Sequence, residues 1–127
     1  MPKFGKRSKE RLATCDERLQ KVFNEVINYV DCSVLEGHRG EREQNKYFAE
    51  GKSKVQYPLG RHNANPSRAV DVVPYPIDWN DRERFHLFAG FVLGIAYSMI
   101  YLYVGEEIGI KTLKLMIIIL MTFLTLN

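Results

Sequence analysis

The chain has 127 residues, a length that predicts one domain and excludes a multidomain enzyme. Its 18 Lys and Arg residues against 15 Asp and Glu residues leave a net charge of +3, too small to indicate nucleic acid as a partner. Two cysteines, Cys15 and Cys32, are too few for a disulfide framework and are predicted to be buried thiols. Residues 1–7 lack the apolar core of a signal peptide, so synthesis in the cytoplasm is expected, with any export by another route.

The first half of the chain alternates helical and extended patterns. Apolar residues at helical spacing predict a first helix over residues 8–29, with Ser8 as its N-cap. Residues 32–35 are typical of a short strand. A second helix is predicted over residues 41–50 and is closed by Gly51.

The second half begins with a loop. Prolines, a glycine and asparagines predict that residues 57–67 lack regular structure, and residues 68–73 form a strand that prolines stop. Asp78 or Asn80 is predicted to cap a long helix that starts at about Asp81. This order of elements predicts a small single α+β domain, with an antiparallel sheet packed by helices.

The C-terminal part differs in composition from the rest. Residues 85–104 have His86 as their only strongly polar member, and residues 115–126 are almost purely apolar. Taken alone, residues 85–126 look like a membrane anchor, because the first run is long enough to span a bilayer. The protein would then be a non-enzymatic module tethered to a membrane. The second run, however, is too short to span one.

The segment GRHNANPSRAVD, residues 60–71, carries the most chemical information. His62 lies in a polar loop, and nine positions later Asp71 lies between two valines of the predicted strand. A carboxylate there needs a cation, a metal or several hydrogen-bond donors. His62 and Asp71 could supply two ligands of a tetrahedral zinc site. Alternatively, Asp71 pairs with Arg61 or Arg68, and His62 is a solvated loop residue.

Polar residues also follow the first predicted strand. Arg39 opens the second helix and is suited to bind a carboxylate bidentately. Gln44 could add an amide contact, and the polar turn at residues 51–54 could hydrogen-bond an extended peptide. Each of these features could equally be a solvated helix start or turn.

Together these segments resemble the zinc peptidases related to D-alanyl-D-alanine carboxypeptidases, and most of all the phage endolysins that are L-alanyl-D-glutamate endopeptidases. The similarity covers about three quarters of the chain, in the family's order and spacing. It extends into the helix over residues 85–99. The segments that carry it are FGKRS (4–8), VLEG (34–37), Arg39 to Gln44, GKSK (51–54), His62 and Asn63, PSRAVD (66–71) and PYPIDW (74–79).

The resemblance implies specific roles. His62 and Asp71 match the first two zinc ligands, and Arg39 matches an arginine that contacts substrate near the metal. Gln44 and Ser53 match positions that line the cleft. The implied reaction is hydrolysis of a peptide bond in the peptidoglycan stem peptide, with zinc as cofactor and an acidic residue as general base.

The resemblance breaks near the C-terminus. The family has a Trp-Gly-Gly-Asp-Trp segment and then an Asp-Leu-Pro-His-Phe-Glu type segment, which supplies the third ligand and the acidic base. This chain contains neither, and its last histidine is His86. No catalytic base is therefore assigned, and the chain as printed is expected to bind zinc poorly and to be inactive or impaired.

The missing segments are compatible with a neighbouring reading frame. When the third base of each codon is read with the first two of the next, residues 104–109 can encode Trp-Gly-Gly-Asp-Trp. Residues 121–127 can likewise encode Asp-Leu-Pro-His-Phe-Glu. The sequence therefore predicts an incomplete peptidase domain over residues 1–99 and an out-of-frame apolar tail over residues 100–127.

The predicted protein is thus a zinc metallopeptidase of the endolysin type whose partner is the peptidoglycan stem peptide. It is expected to be a monomer that acts at the bacterial cell wall or periplasm, without a nucleic-acid or membrane partner. The alternative is a membrane-anchored or peptidoglycan-binding module without enzymatic activity.

Overall fold

Four helices and a two-stranded antiparallel sheet make up the chain over residues 2–103, which the computed structural model describes, with the backbone alone for residues 100–103. The predicted α+β class is confirmed. In chain order the elements are α1 (Lys6–Leu12), α2 (Glu17–Val26), β1 (Cys32–Glu36), α3 (Glu41–Ala49), a 3₁₀ turn (Arg61–Asn63), β2 (Asp71–Pro74) and α4 (Arg82–Tyr103).

The predicted first helix is in fact two helices, because loop residues compete for its backbone groups. The carbonyl of Thr14 accepts a hydrogen bond from Ser67 N, and Asp16 N donates to the carbonyl of Ser67. Asp16 then caps α2 through its side chain, which accepts from Arg18 N at 2.9 Å. Ser8, predicted as an N-cap, lies inside α1, where its hydroxyl accepts from Val34 N at 3.0 Å.

The sheet contains a bulge at the end nearest the polar residues. Val34 pairs with Val72, but Glu36 pairs with Asp71, so Leu35 is the extra residue. A bulge bends the strand and changes the direction of the side chains beyond it. It therefore brings two acidic residues, Glu36 and Asp71, into register at one end of the sheet.

Strand β2 begins three residues later than predicted. Ser67 forms a local turn in which its hydroxyl donates to the carbonyl of Ala69 at 2.7 Å and accepts from Ala69 N at 3.2 Å. These bonds use backbone groups that a strand ladder would need. Regular pairing consequently starts at Asp71.

The core lies between α2, α4 and the sheet. Apolar side chains of α2 pack against α4, and β1 and β2 cover the same cluster from another side. The cap of α4 is Asp81, whose carboxylate accepts from Arg84 N at 3.1 Å, rather than Asp78 or Asn80. The core cluster consists of Phe4, Leu12, Cys15, Leu19, Val22, Phe23, Val26, Ile27, Cys32, Val34, Ala69, Val70, Val72, Phe88, Ala89, Val92 and Ala96.

Helix α4 belongs to this core. Phe88, Val92 and Ala96 on its inner face are 4% exposed or less. Among the helices of residues 2–103, none combines the length and the apolar character needed to cross a bilayer. Residues 104–127, which contain most of the predicted out-of-frame tail, lie outside the described residues, and that hypothesis stays a prediction.

Candidate active site

His62 is held by the end of strand β1. It lies on the 3₁₀ turn, and its Nδ1 is 2.7 Å from the carbonyl oxygen of Gly37. A carbonyl only accepts hydrogen bonds, so Nδ1 carries a proton, and in the neutral form of the ring the lone pair is on Nε2. The carbonyl of His62 in turn accepts from Arg39 N at 2.7 Å. Ring orientation and backbone position are therefore both fixed.

Asp71 faces the other nitrogen of that ring, Nε2. Its Oδ1 lies 3.5 Å from His62 Nε2, and the two side chains are 22% and 13% exposed, respectively. The alternative in which His62 is a solvated loop residue is therefore wrong. Burial lowers the pKa of His62, but the Asp71 carboxylate and the Gly37 carbonyl raise it by more, so that the net shift is upward.

Arg39 is anchored on three sides beside this pair. Its Nε and Nη2 donate to the two carboxylate oxygens of Glu36 at 2.6 and 3.0 Å, and its Nη1 donates to Gln44 Oε1 at 3.0 Å. The guanidinium carbon also lies over the ring of Tyr47, 4.6 Å from its centroid. Burial disfavours the charge, yet Glu36 and the Asp71 carboxylate raise the pKa of Arg39 above its ordinary value.

Gln44 is internal to the site. It is 1% exposed, its amide nitrogen donates to Ser53 Oγ and to the carbonyl of Val55, and its oxygen accepts from Arg39 and Asn63. These four bonds use the full capacity of a carboxamide. Ser53, half-buried, is thus connected to Arg39 through Gln44 rather than directly.

Asn63 joins the two halves of the site. Its Nδ2 donates to the carbonyl of Arg39 at 3.0 Å and to Gln44 Oε1 at 3.2 Å, while its Oδ1 accepts from Gly60 N at 2.8 Å. A Cβ at Gly60 would lie 2.6 Å from Asn63 Oδ1 and 2.9 Å from Gln44 Oε1. Glycine is needed there because the buried amides approach the backbone so closely.

A surface groove borders the site on the side of β1. Its volume is about 410 Å³. Glu36 and Gly37 contact the residues of the site and also line the groove, whereas His62 and Asp71 do not line it. The groove is lined by Glu10, Arg11, Thr14, Leu35, Glu36, Gly37, His38, Glu43 and Tyr47.

The structure thus brings together all five residues singled out from the sequence: three at the centre (His62, Asp71 and Arg39) and two behind them (Gln44 and Ser53). Sequence reasoning missed Glu36, Tyr47 and Asn63 as partners of these side chains. A glutamate just before the glycine that ends a strand, three residues ahead of an arginine, was the available signal for Glu36. Within residues 2–103, no group of three or more His, Cys, Asp or Glu side chains could hold a metal ion.

Comparison with known proteins identifies the family. Residues 1–112 match the sequence model of a family described as phage L-alanyl-D-glutamate peptidase. The chain belongs to this family. The predicted kinship with L-alanyl-D-glutamate endopeptidases is confirmed, since the match spans most of the chain. No curated protein matches the chain.

Solved structures lead to the same peptidase group. The chain is similar to the crystal structure of the L-Ala D-Glu endopeptidase ChiX from Serratia marcescens, with a TM-score of 0.64 and 27% sequence identity. The match covers 76% of this chain and 73% of that one. As a member of the phage L-alanyl-D-glutamate peptidase family, the chain therefore shares its fold with an enzyme of that named activity.

Proposed function

We propose that this chain is built to hydrolyse the bond between L-alanine and D-glutamate in the peptidoglycan stem peptide, with zinc held by His62 and Asp71. The observation that carries the proposal is the pairing of these two side chains, with His62 oriented by Gly37. Family membership supplies the substrate class.

The donor set supports zinc. Two ligand atoms at about 2.0–2.2 Å from a tetrahedral zinc ion lie roughly 3.3–3.6 Å apart. The separation between His62 Nε2 and Asp71 Oδ1 is 3.5 Å. A zinc-bound histidine also commonly donates its other ring N–H to a backbone carbonyl, as His62 does to Gly37. The imidazole and the carboxylate therefore fit the ion as two of its ligands.

The chain's own residues would act on the substrate as follows. Bound zinc would supply Lewis-acid polarisation of the scissile carbonyl and an activated water. The Gly37 carbonyl would hold the Nδ1–H of His62, so that Nε2 is the ring nitrogen left to bind the ion. Arg39, fixed by Glu36, Gln44 and the Tyr47 ring, would orient the peptide by binding a carboxylate.

The chain as printed is expected to lack two parts of the catalytic machinery. A third ligand and an acidic base are expected from the segment that the neighbouring reading frame encodes at residues 121–127. With two protein ligands, zinc binding is expected to be weak and turnover slow. The frame-restored protein is expected to be the full peptidase.

The test is hydrolysis of purified peptidoglycan with added zinc, for the printed chain and for the frame-restored one. Mass spectrometry of the released fragments should show new D-glutamate amino termini from the restored protein and few or none from the printed chain. In the restored protein, His62→Ala and Asp71→Asn should each abolish product. His86→Ala is the matched control, because His86 is exposed on α4 and is expected to leave the activity unchanged.

Two results would contradict the proposal. Equal activity of the printed and restored proteins would refute the defect. Binding of peptidoglycan by both proteins, without cleavage by either, would instead indicate a binding module without enzymatic activity.

A further inference from the structure

The carboxylate of Glu36 occupies one edge of the Arg39 guanidinium. It accepts from Nε and Nη2 in a two-point contact, with side chains only 21% and 12% exposed. Such a fork fixes the plane of a guanidinium, whereas a single hydrogen bond leaves it free to rotate. The Tyr47 ring also lies against the guanidinium, 4.6 Å from its central carbon.

The guanidinium keeps donors for another acceptor. Of its five N–H groups, Glu36 takes two and Gln44 takes one. The remaining two, one on each terminal nitrogen, have no acceptor among residues 2–103. Arg39 lies beside the site where cleavage is proposed, because its backbone N–H donates to the carbonyl of His62 at 2.7 Å and its partner Glu36 pairs with Asp71 across the sheet.

A D-glutamate residue next to the cleaved bond carries one free carboxylate, whichever of its two carboxyl groups continues the peptide. This acid is the substrate group that suits two guanidinium N–H donors in a poorly hydrated site. We propose that Glu36 is a positioning residue that, by holding Arg39, gives the site its preference for that carboxylate over the corresponding carboxamide. The inference rests on the function proposed above.

The negative charge of Glu36 allows an orienting role to be distinguished from a purely electrostatic one. Its negative charge alone would repel a substrate carboxylate, so removing it would strengthen binding if electrostatics alone mattered. If instead Glu36 acts by orienting Arg39, removing the fork weakens the preference. The two accounts predict opposite signs for one variant.

The experiment is titration calorimetry with two probes, the tripeptide L-Ala-γ-D-Glu-L-Lys and the same peptide with the D-glutamate α-carboxylate amidated. Hydrogen bonds to a charged group predict a carboxylate preference of roughly ten- to hundredfold for the unaltered chain. In Glu36→Gln the guanidinium loses this alignment, and its hydrogen bonds to the substrate carboxylate should be about half as strong. Because the preference depends exponentially on their energy, it should fall to about its square root, roughly three- to tenfold. Glu43→Gln removes the same charge from the same groove without touching Arg39 and should keep the original preference.

A double-mutant cycle tests whether Glu36 acts through Arg39. In an Arg39→Met background, Glu36→Gln should cause no further change in the preference. The Nε–H signal of Arg39 in nitrogen-15 spectra provides a readout that needs no peptide. It should be protected from solvent exchange in the original chain and in Glu43→Gln, and exchange rapidly in Glu36→Gln.

The outcomes separate the two proposals. An unchanged or increased carboxylate preference in Glu36→Gln, or a protected Arg39 Nε–H in that variant, overturns the role of Glu36. If the original chain binds neither peptide although its Arg39 signal is protected, the proposed substrate is wrong, and the carboxylate preference falls with it.

Discussion

A methyl group added at Gly37 would have no room. Its carbon would lie 2.3 Å from the carbonyl oxygen of Arg11 and 2.3 Å from Thr14 Oγ1, and 3.0 Å from Cys15 Sγ. Reaching ordinary contact requires a displacement of about 1 Å between the end of β1 and the end of α1. The obstacle on one side is backbone, which cannot rotate away as the end of a side chain can.

That displacement would act on both folding and the site. Overpacking costs about 1–3 kcal/mol, and loss of the bond from His62 to the Gly37 carbonyl costs about 1 kcal/mol more. Gly37→Ala should therefore lose roughly 2–4 kcal/mol of unfolding free energy and on the order of 5–15 °C in Tm. Because the carbonyl orients His62, zinc affinity should fall by roughly ten- to hundredfold.

Urea denaturation followed by circular dichroism measures the stability, and titration calorimetry measures the zinc affinity. Gly90→Ala is the matched control, since a Cβ at Gly90 on α4 meets no atom within 4 Å. That control should gain about 0.5–1 kcal/mol through helix propensity. If Gly37→Ala melts like the original chain and keeps its zinc affinity, the packing argument and the role of the carbonyl are both refuted.

Four further predictions concern buried groups and a helix cap. Burial raises the pKa of Cys15 to about 11 and that of Cys32 to about 12, from 9.0, so a thiol reagent at pH 8 should label neither until the protein is unfolded. Because unfolded thiols ionise first, the stability that depends on the two neutral thiols should be complete below pH 9 and be lost between pH 9 and about pH 12, a loss that mutation of both cysteines to alanine should reduce. Ser8→Ala should cost about 1–3 kcal/mol in urea denaturation by leaving the buried N–H of Val34 without its acceptor; a change below about 0.5 kcal/mol would contradict this. Asp81→Ala should cost about 1 kcal/mol by uncapping α4, whereas Asp81→Asn should recover most of it, and equal losses in the two variants would count against capping.

The sequence predicted elements well where local signals agreed. The predicted second helix is α3 of the structure, and it is closed as expected at Gly51, whose φ of 76° glycine tolerates. The break between α1 and α2 was missed because apolar spacing continues across it. The deciding bonds come from Ser67, more than fifty positions away in the chain.

Part of the site could likewise be predicted from the sequence and part could not. Residue chemistry and family resemblance singled out His62, Asp71 and Arg39, which the fold brings together. The connections through Glu36 and Asn63 depend on a bulge and a 3₁₀ turn that place distant segments in contact. No local pattern specifies which of several nearby polar groups accepts each of these hydrogen bonds.

His62 and Asp71 are proposed to bind one zinc ion together. Crystals of the chain soaked in zinc, measured above and below the zinc absorption edge, test it directly. An anomalous peak is expected about 2.0–2.2 Å from both His62 Nε2 and an Asp71 carboxylate oxygen, and it should be lost in Asp71→Asn crystals. No peak at this pair, with zinc bound instead at other residues of the same crystal, would contradict it.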